Sequence, residues 1–148
     1  MPRFAGAAGK DVRGPAVCVA GRRAAAEAGA ATLRQGGNAF DAVAAAGFVE
    51  AVVAPSSCGI GGYAASGVGF LAGPERLVSL DANAVAPASA RADMFPVVPG
   101  RDPNDYRLPD ARHRVGPLSV AVPGVLGGLL TLVETWGRLG RQIGRAHV

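Results

Sequence analysis

The sequence predicts a mixed α/β (α+β) domain. Three observations support this fold class: alanine-rich segments with helical patterning lie early in the chain, two short β-type segments joined by a turn follow them, and an amphipathic helix lies near the end. The length of 148 residues suits one domain with a substantial core. Aromatic residues are only 5% of the chain, so the 49% apolar content consists mostly of small side chains and favours closely packed helices.

The first predicted helix lies within residues 17–35 and begins near Gly21, because alanines recur there at three- and four-residue spacing. Gly36 and Gly37 end it, since glycine readily adopts the left-handed conformation that follows many helices. Asn38 is then a suitable N-cap for a second helix, and Asp41 places negative charge in the first turn of that helix.

The second predicted helix runs to about Val53 and ends before Pro55, because the residue before a proline avoids the helical region. Its residues 42–49 are apolar around the whole circumference, which predicts a helix buried on all sides. Residues 63–71 then predict a buried strand and residues 76–81 a second strand, joined in a hairpin.

The segment after the hairpin becomes polar and proline-rich from residue 96. Ser89 is a suitable cap for a short helical turn over residues 90–95, and residues 96–117 predict a surface loop. A strand over residues 118–122 leads into a helix over residues 125–136, whose leucines form an apolar stripe with Val133 and Trp136.

Charge and composition argue against several classes of function. The net charge is +4, but the arginines are scattered along the chain, whereas a nucleic-acid surface has clustered basic residues. No apolar stretch is long enough for a membrane span. Cys18 and Cys58 have no metal-ligand spacing with His113 or His147, so no metal or other cofactor is expected. Two buried free thiols are favoured over a disulfide between them, because a chain with a core of this size does not need a cross-link.

The glycine-rich segment 59–64 only partly matches a dinucleotide-binding loop. It follows a helix and precedes a strand, which is the reverse of the order that such a loop needs. A tight turn that allows close backbone approach is the favoured interpretation, here and at residues 67–69. A non-catalytic domain that binds a small ligand or a partner through the 59–62 turn is one alternative function.

The remaining polar candidates are all expected to be structural. His113 lies between two arginines and is interpreted as a solvated loop residue, because no nucleophile or orienting carboxylate is recognisable beside it. Ser56 and Ser57 are typical of a turn. Of the acidic candidates, Asp41 is interpreted as a helix-terminal charge, Glu50 as a helix residue and Asp81 as a strand-end residue.

Three regions are expected along the chain. Residues 1–16 form an extended or disordered N-terminus, residues 17–142 a partial domain, and residues 143–148 a non-native tail that is similar to a translated sequencing adapter. The natural protein is expected to continue past residue 142. Residues 1–14 contain no apolar signal core, so the cytoplasm is the default location, with a periplasmic or secreted location left open.

Four blocks carry a family resemblance in the order 25–42, 53–62, 80–95 and 118–137. The most specific are the run Gln35-Gly36-Gly37-Asn38-Ala39 with Asp41-Ala42, and the run Ser119-Val120-Ala121-Val122-Pro123-Gly124. Together the blocks resemble the N-terminal part of the large subunit of the gamma-glutamyltranspeptidase family. The resemblance covers about residues 17–137.

The resemblance implies the N-terminal part of a four-layer αββα N-terminal-nucleophile hydrolase fold. In this family a precursor cleaves itself and exposes a threonine at the start of the small subunit, where it attacks glutathione or another γ-glutamyl amide with its own α-amino group as base. The implied partners are a small-molecule amide and the small subunit of the same precursor. The implied nucleophile lies outside this chain, so the fragment alone is expected to be inactive.

The chain departs from the family pattern at one position. In the family, an arginine two residues after the strand-end aspartate binds the α-carboxylate of the γ-glutamyl group, whereas this chain has Asn83, followed by Ala84. A neutral amide cannot replace a bidentate, charge-assisted contact. Asn83 is therefore the candidate substrate-binding residue, and an amidohydrolase or acylase with altered acyl specificity is a second alternative function.

Overall fold

A computed structural model describes residues 16–62, 64–96, 108 and 110–140. The described helices and strands are α1 (Arg23–Arg34), α2 (Ala39–Val53), β1 (Ser66–Leu71), β2 (Arg76–Asp81) and α3 (Val125–Trp136), with a short 3₁₀ helix at Pro117–Ser119. This mixture of helix and strand agrees with the predicted α+β class. The expected tail 143–148 and most of the expected N-terminus 1–16 lie outside the described residues.

The chain divides into two compact units. The first consists of Met1–Gly59 with Leu129–Val148, and the second of Ile60–Gly128. Helix α3 contributes its first turn to the second unit and its remaining residues to the first.

Small side chains allow α1 and α2 to pack closely in the first unit. Gly29 of α1 is buried, and a Cβ there would collide with Cys18 Sγ and lie 3.0 Å from the carbonyl oxygen of Ala42. On α2, Gly47 faces Leu129 of α3, since a Cβ at Gly47 would lie 3.0 Å from Leu129 Cδ2. The core of this unit consists mainly of alanines with three larger residues of α3: Ala25, Ala42, Ala44, Ala45, Ala46, Ala51, Leu129, Leu132 and Val133.

Both predicted N-terminal helices form, with two differences. Helix α1 begins at Arg23, slightly later than expected. Arg22 remains extended just before the helix, where its backbone N–H donates to Glu50 Oε2 at 3.2 Å. Helix α2 is not buried on all sides: Val52 is 75% exposed, and Val43 and Val53 are also exposed. The apolar pattern of α2 therefore marks a face that the described residues do not cover.

The N-terminus of α2 is fixed by a reciprocal capping box. The side-chain oxygen of Asn38 accepts hydrogen bonds from the N–H groups of Phe40 and Asp41, and Asp41 Oδ2 accepts one from Asn38 N at 2.9 Å. Gly36 has a φ of 88°, so the predicted left-handed residue between the two helices is present.

The same cap binds the chain that follows α3. Asp41 is completely buried, and its Oδ2 accepts a hydrogen bond of 2.8 Å from Arg138 N, while Leu139 N lies 3.3 Å from Oδ1. Asn38 Nδ2 donates to the carbonyl oxygen of Trp136 at 2.6 Å. Gly137 has no side chain to obstruct this approach, since a Cβ there would lie 2.5 Å from Asp41 Oδ1.

The second unit contains the predicted antiparallel hairpin. Strands β1 and β2 pair in a register that runs from Ser66 opposite Asp81 to Leu71 opposite Arg76. One face carries Val68, Phe70 and Leu77, which are 78%, 58% and 71% exposed. The prediction that residues 63–71 form a buried strand is therefore wrong for the described part, because no described layer covers this face.

Two further predictions for this unit are wrong in detail. Residues 118–122 do not form a strand: the 3₁₀ helix occupies Pro117–Ser119, and only Val122 pairs, in an isolated antiparallel bridge with Val85. In place of the expected short helical turn over residues 90–95 there are two separate turns, in which Ala90 N donates to Pro87 O and Met94 N donates to Arg91 O. A single bridging residue lacks the second pair of hydrogen bonds that a strand requires.

Within the described parts of the chain, every helix is too short or too polar to cross a lipid bilayer.

We expect Asp41→Asn to destabilise the protein by about 2–3 kcal/mol. The asparagine amide has one neutral acceptor oxygen, whereas the Asp41 carboxylate offers two charged oxygens to the backbone N–H groups around it. Urea unfolding followed by circular dichroism measures this change. The matched control is Glu27→Gln on α1, which removes the charge from an exposed pair with Arg23 and should change stability by less than about 0.5 kcal/mol. Equal effects of the two substitutions would contradict the anchoring role of Asp41.

Candidate functional site

The predicted substrate-binding position lies where the chain leaves strand β2. Ala82 continues the ladder by one hydrogen bond, from its N–H to Ala65 O at 2.8 Å, and its side chain is buried. Asp81 and Asn83 on either side of it are exposed. Alternation along an extended chain therefore directs two polar side chains toward solvent at the end of the hairpin.

Asp81 holds Asn83 in a tight turn. Asp81 Oδ1 accepts one hydrogen bond from the Asn83 backbone N–H at 3.1 Å and a second from Asn83 Nδ2 at 2.7 Å. An aspartate that binds the backbone two residues later is a common turn device. The two side chains are joined by a hydrogen bond, and the orientation of the Asn83 amide depends on the Asp81 carboxylate.

The backbone of this turn rests on the segment that begins α3. Val85 and Val122 exchange two backbone hydrogen bonds of 3.1 and 2.9 Å. Two residues further on, a Cβ at Gly124 would lie 2.5 Å from Ala82 O and 2.7 Å from Asn83 O. Gly128, one turn along the helix, is equally close to the Ala82 side chain. Glycine is therefore required where α3 meets the end of β2.

Two acidic candidates have structural roles. Both oxygens of Asp41 contact backbone N–H groups and the residue is completely buried, so it is not accessible as an acid or base. Glu50 accepts the hydrogen bond from Arg22 N just before α1. The sequence-based interpretation of Asp41 as a helix-terminal charge is thus confirmed, with the addition of its contacts to residues after α3.

The serine and glycine candidates follow α2. Ser57 N and Cys58 N both donate to Ala54 O at 2.9 Å, so these residues form the predicted turn. The expected close backbone approach at the glycines is wrong at Gly61 and Gly67, because no described atom lies within 4 Å of a Cβ built at either position. These two glycines do not form a crowded cradle for a ligand.

His113 is half-buried rather than solvated as predicted. It contacts the edge of Phe95, with ring centroids 6.4 Å apart, and its Nδ1 is buried without a hydrogen-bond partner among the described residues. Nearby, a side-chain hydrogen bond from Arg112 lowers the pKa of the exposed Asp110 below its ordinary value. The carboxylate is thus engaged by Arg112 rather than by the imidazole, and in the described part of the chain no hydrogen bond to Nδ1 orients His113.

Neither cysteine forms a disulfide, in agreement with the expectation of free thiols, although Cys18 and Cys58 are half-buried rather than buried. In the described residues, no group of three or more histidine, cysteine, aspartate or glutamate side chains is placed to hold a metal ion.

The family resemblance singles out Asn83 as a candidate, but it does not indicate the residues that position its side chain. Asp81 was interpreted only as a strand-end residue, although the spacing Asp81-Ala82-Asn83 is typical of an aspartate turn. Gly124 was noted as part of a sequence block without a structural reason. No pattern within either segment indicates that residues 82–83 and 124 meet, because they are far apart in the chain.

Comparison with known proteins gives a consistent family. The family model described as Gamma-glutamyltranspeptidase matches residues 25–142. Glutathione hydrolase 2 of Arabidopsis thaliana is 41% identical over 111 residues, and Acylase ACY 1 proenzyme of Pseudomonas sp. (strain V22) is 36% identical over 115 residues. These matches cover 75% and 78% of this chain but 17% and 20% of the two relatives. The chain thus spans about a fifth of their length.

Comparison with solved structures indicates the same family. The crystal structure of Helicobacter pylori gamma-glutamyltranspeptidase superposes with a TM-score of 0.71 and 30% sequence identity, covering 86% of this chain and 34% of that one. The described helices and strands therefore have the fold of the corresponding part of that enzyme.

We expect Gly124→Ala to destabilise the protein by about 1–3 kcal/mol, because the added methyl group meets two backbone oxygens that cannot rotate away. The resonance of the Asn83 side-chain amide should also shift, since the turn must move. Gly127→Ala, in the first turn of α3, is the matched control, because no described atom outside the helix's own backbone lies within 4 Å of the new Cβ. There, alanine should leave stability unchanged or raise it by up to about 1 kcal/mol. Urea unfolding with nuclear magnetic resonance tests both variants, and equal losses would refute the close contact.

Proposed function

Because the chain belongs to the gamma-glutamyltranspeptidase family, we propose that the protein transfers or hydrolyses γ-glutamyl or related acyl amides, including glutathione. The match of the family model over residues 25–142 carries this proposal. The structure supports it at the end of β2, where a built turn brings the exposed Asp81 and Asn83 side chains together.

In the proposed reaction this chain binds the acyl group and a second segment supplies the chemistry. The attacking threonine lies outside these 148 residues, at the start of the small subunit that the precursor releases by cleaving itself. Its hydroxyl oxygen attacks the amide carbonyl, its α-amino group takes the hydroxyl proton, and a backbone oxyanion hole stabilises the tetrahedral intermediate. The protonated α-amino group gives its proton to the leaving amine as the amide C–N bond breaks, and water or an amino acid then takes the acyl group from the threonine oxygen. Several relatives are named proenzymes, which supports such processing.

Asn83 is the proposed substrate-binding residue, and Asp81 is its positioning residue. The hydrogen bond of 2.7 Å between their side chains fixes the amide that would face the acyl group. Gly124 and the bridge between Val85 and Val122 support the backbone below it. The group is held by secondary structure on both sides, which favours a defined binding geometry.

An acylase-like or amidohydrolase activity is the second candidate. Asn83 favours it, because the residue cannot make the charge-assisted pair that the family's arginine makes with a carboxylate. The similarity to Acylase ACY 1 proenzyme supports the same direction. Both candidates share the threonine mechanism and differ only in the acyl group that is accepted.

The protein expressed from its complete reading frame should cleave itself into two chains, with threonine as the first residue of the smaller. Intact mass spectrometry and N-terminal sequencing measure this independently of substrate choice. The 148-residue chain by itself should release no para-nitroaniline from acyl para-nitroanilides, because it lacks the nucleophile. A complete protein that remains unprocessed, or turnover by the 148-residue chain alone, would contradict the proposed function.

A further inference from the structure

We draw no further inference here: the strongest candidate, the exposed apolar face of the β1–β2 hairpin that Val68, Phe70 and Leu77 form, carries none because nothing in the described part of the structure shows what covers it.

Discussion

The first unit depends on one buried carboxylate that pairs with no cation among the described residues. Asp41 is fully desolvated, and a bare charge in such a position would be unstable. Backbone N–H groups of Asn38, Arg138 and Leu139 offset this cost, because they are the donors that the end of one helix and the turn after another leave unpaired. The carboxylate thus joins two parts of the chain about a hundred residues apart. Removal of either donor segment would leave the buried carboxylate with only part of its hydrogen bonds.

The two most specific sequence blocks correspond to two tight backbone contacts. The run from Gln35 to Ala42 contains the cap of α2 with its buried aspartate. The run from Ser119 to Gly124 contains the bridge to Val85 and the glycine that meets the carbonyl oxygens after β2. In both blocks the residue type is dictated by space and hydrogen bonding. The family pattern in this part of the chain therefore largely describes how distant segments are joined, and Asn83 stands beside one of these junctions.

Local signals predicted most of the secondary structure and part of the site. Alanine spacing, the Gly36 turn and the Asn38 cap located the first two helices, because capping and helix propensity act within a few residues. The exposure of Phe70 and the replacement of a strand by the single bridge at Val122 were not predictable, since they depend on which layers are present around the hairpin. For the site, the resemblance indicated Asn83, but its coupling to Asp81 and its support by Gly124 required the three-dimensional arrangement.

The open face of the hairpin has a consequence for how the chain behaves in water. A ribbon of two strands is marginal in isolation, and here Val68, Phe70 and Leu77 also face solvent. An incoming strand gains backbone hydrogen bonds along an edge and apolar contact at the face in the same step. The hairpin is consequently a template for sheet growth, and whichever segment reaches it first, from the same polypeptide or from a neighbour in solution, determines whether growth yields an ordered enzyme or an aggregate.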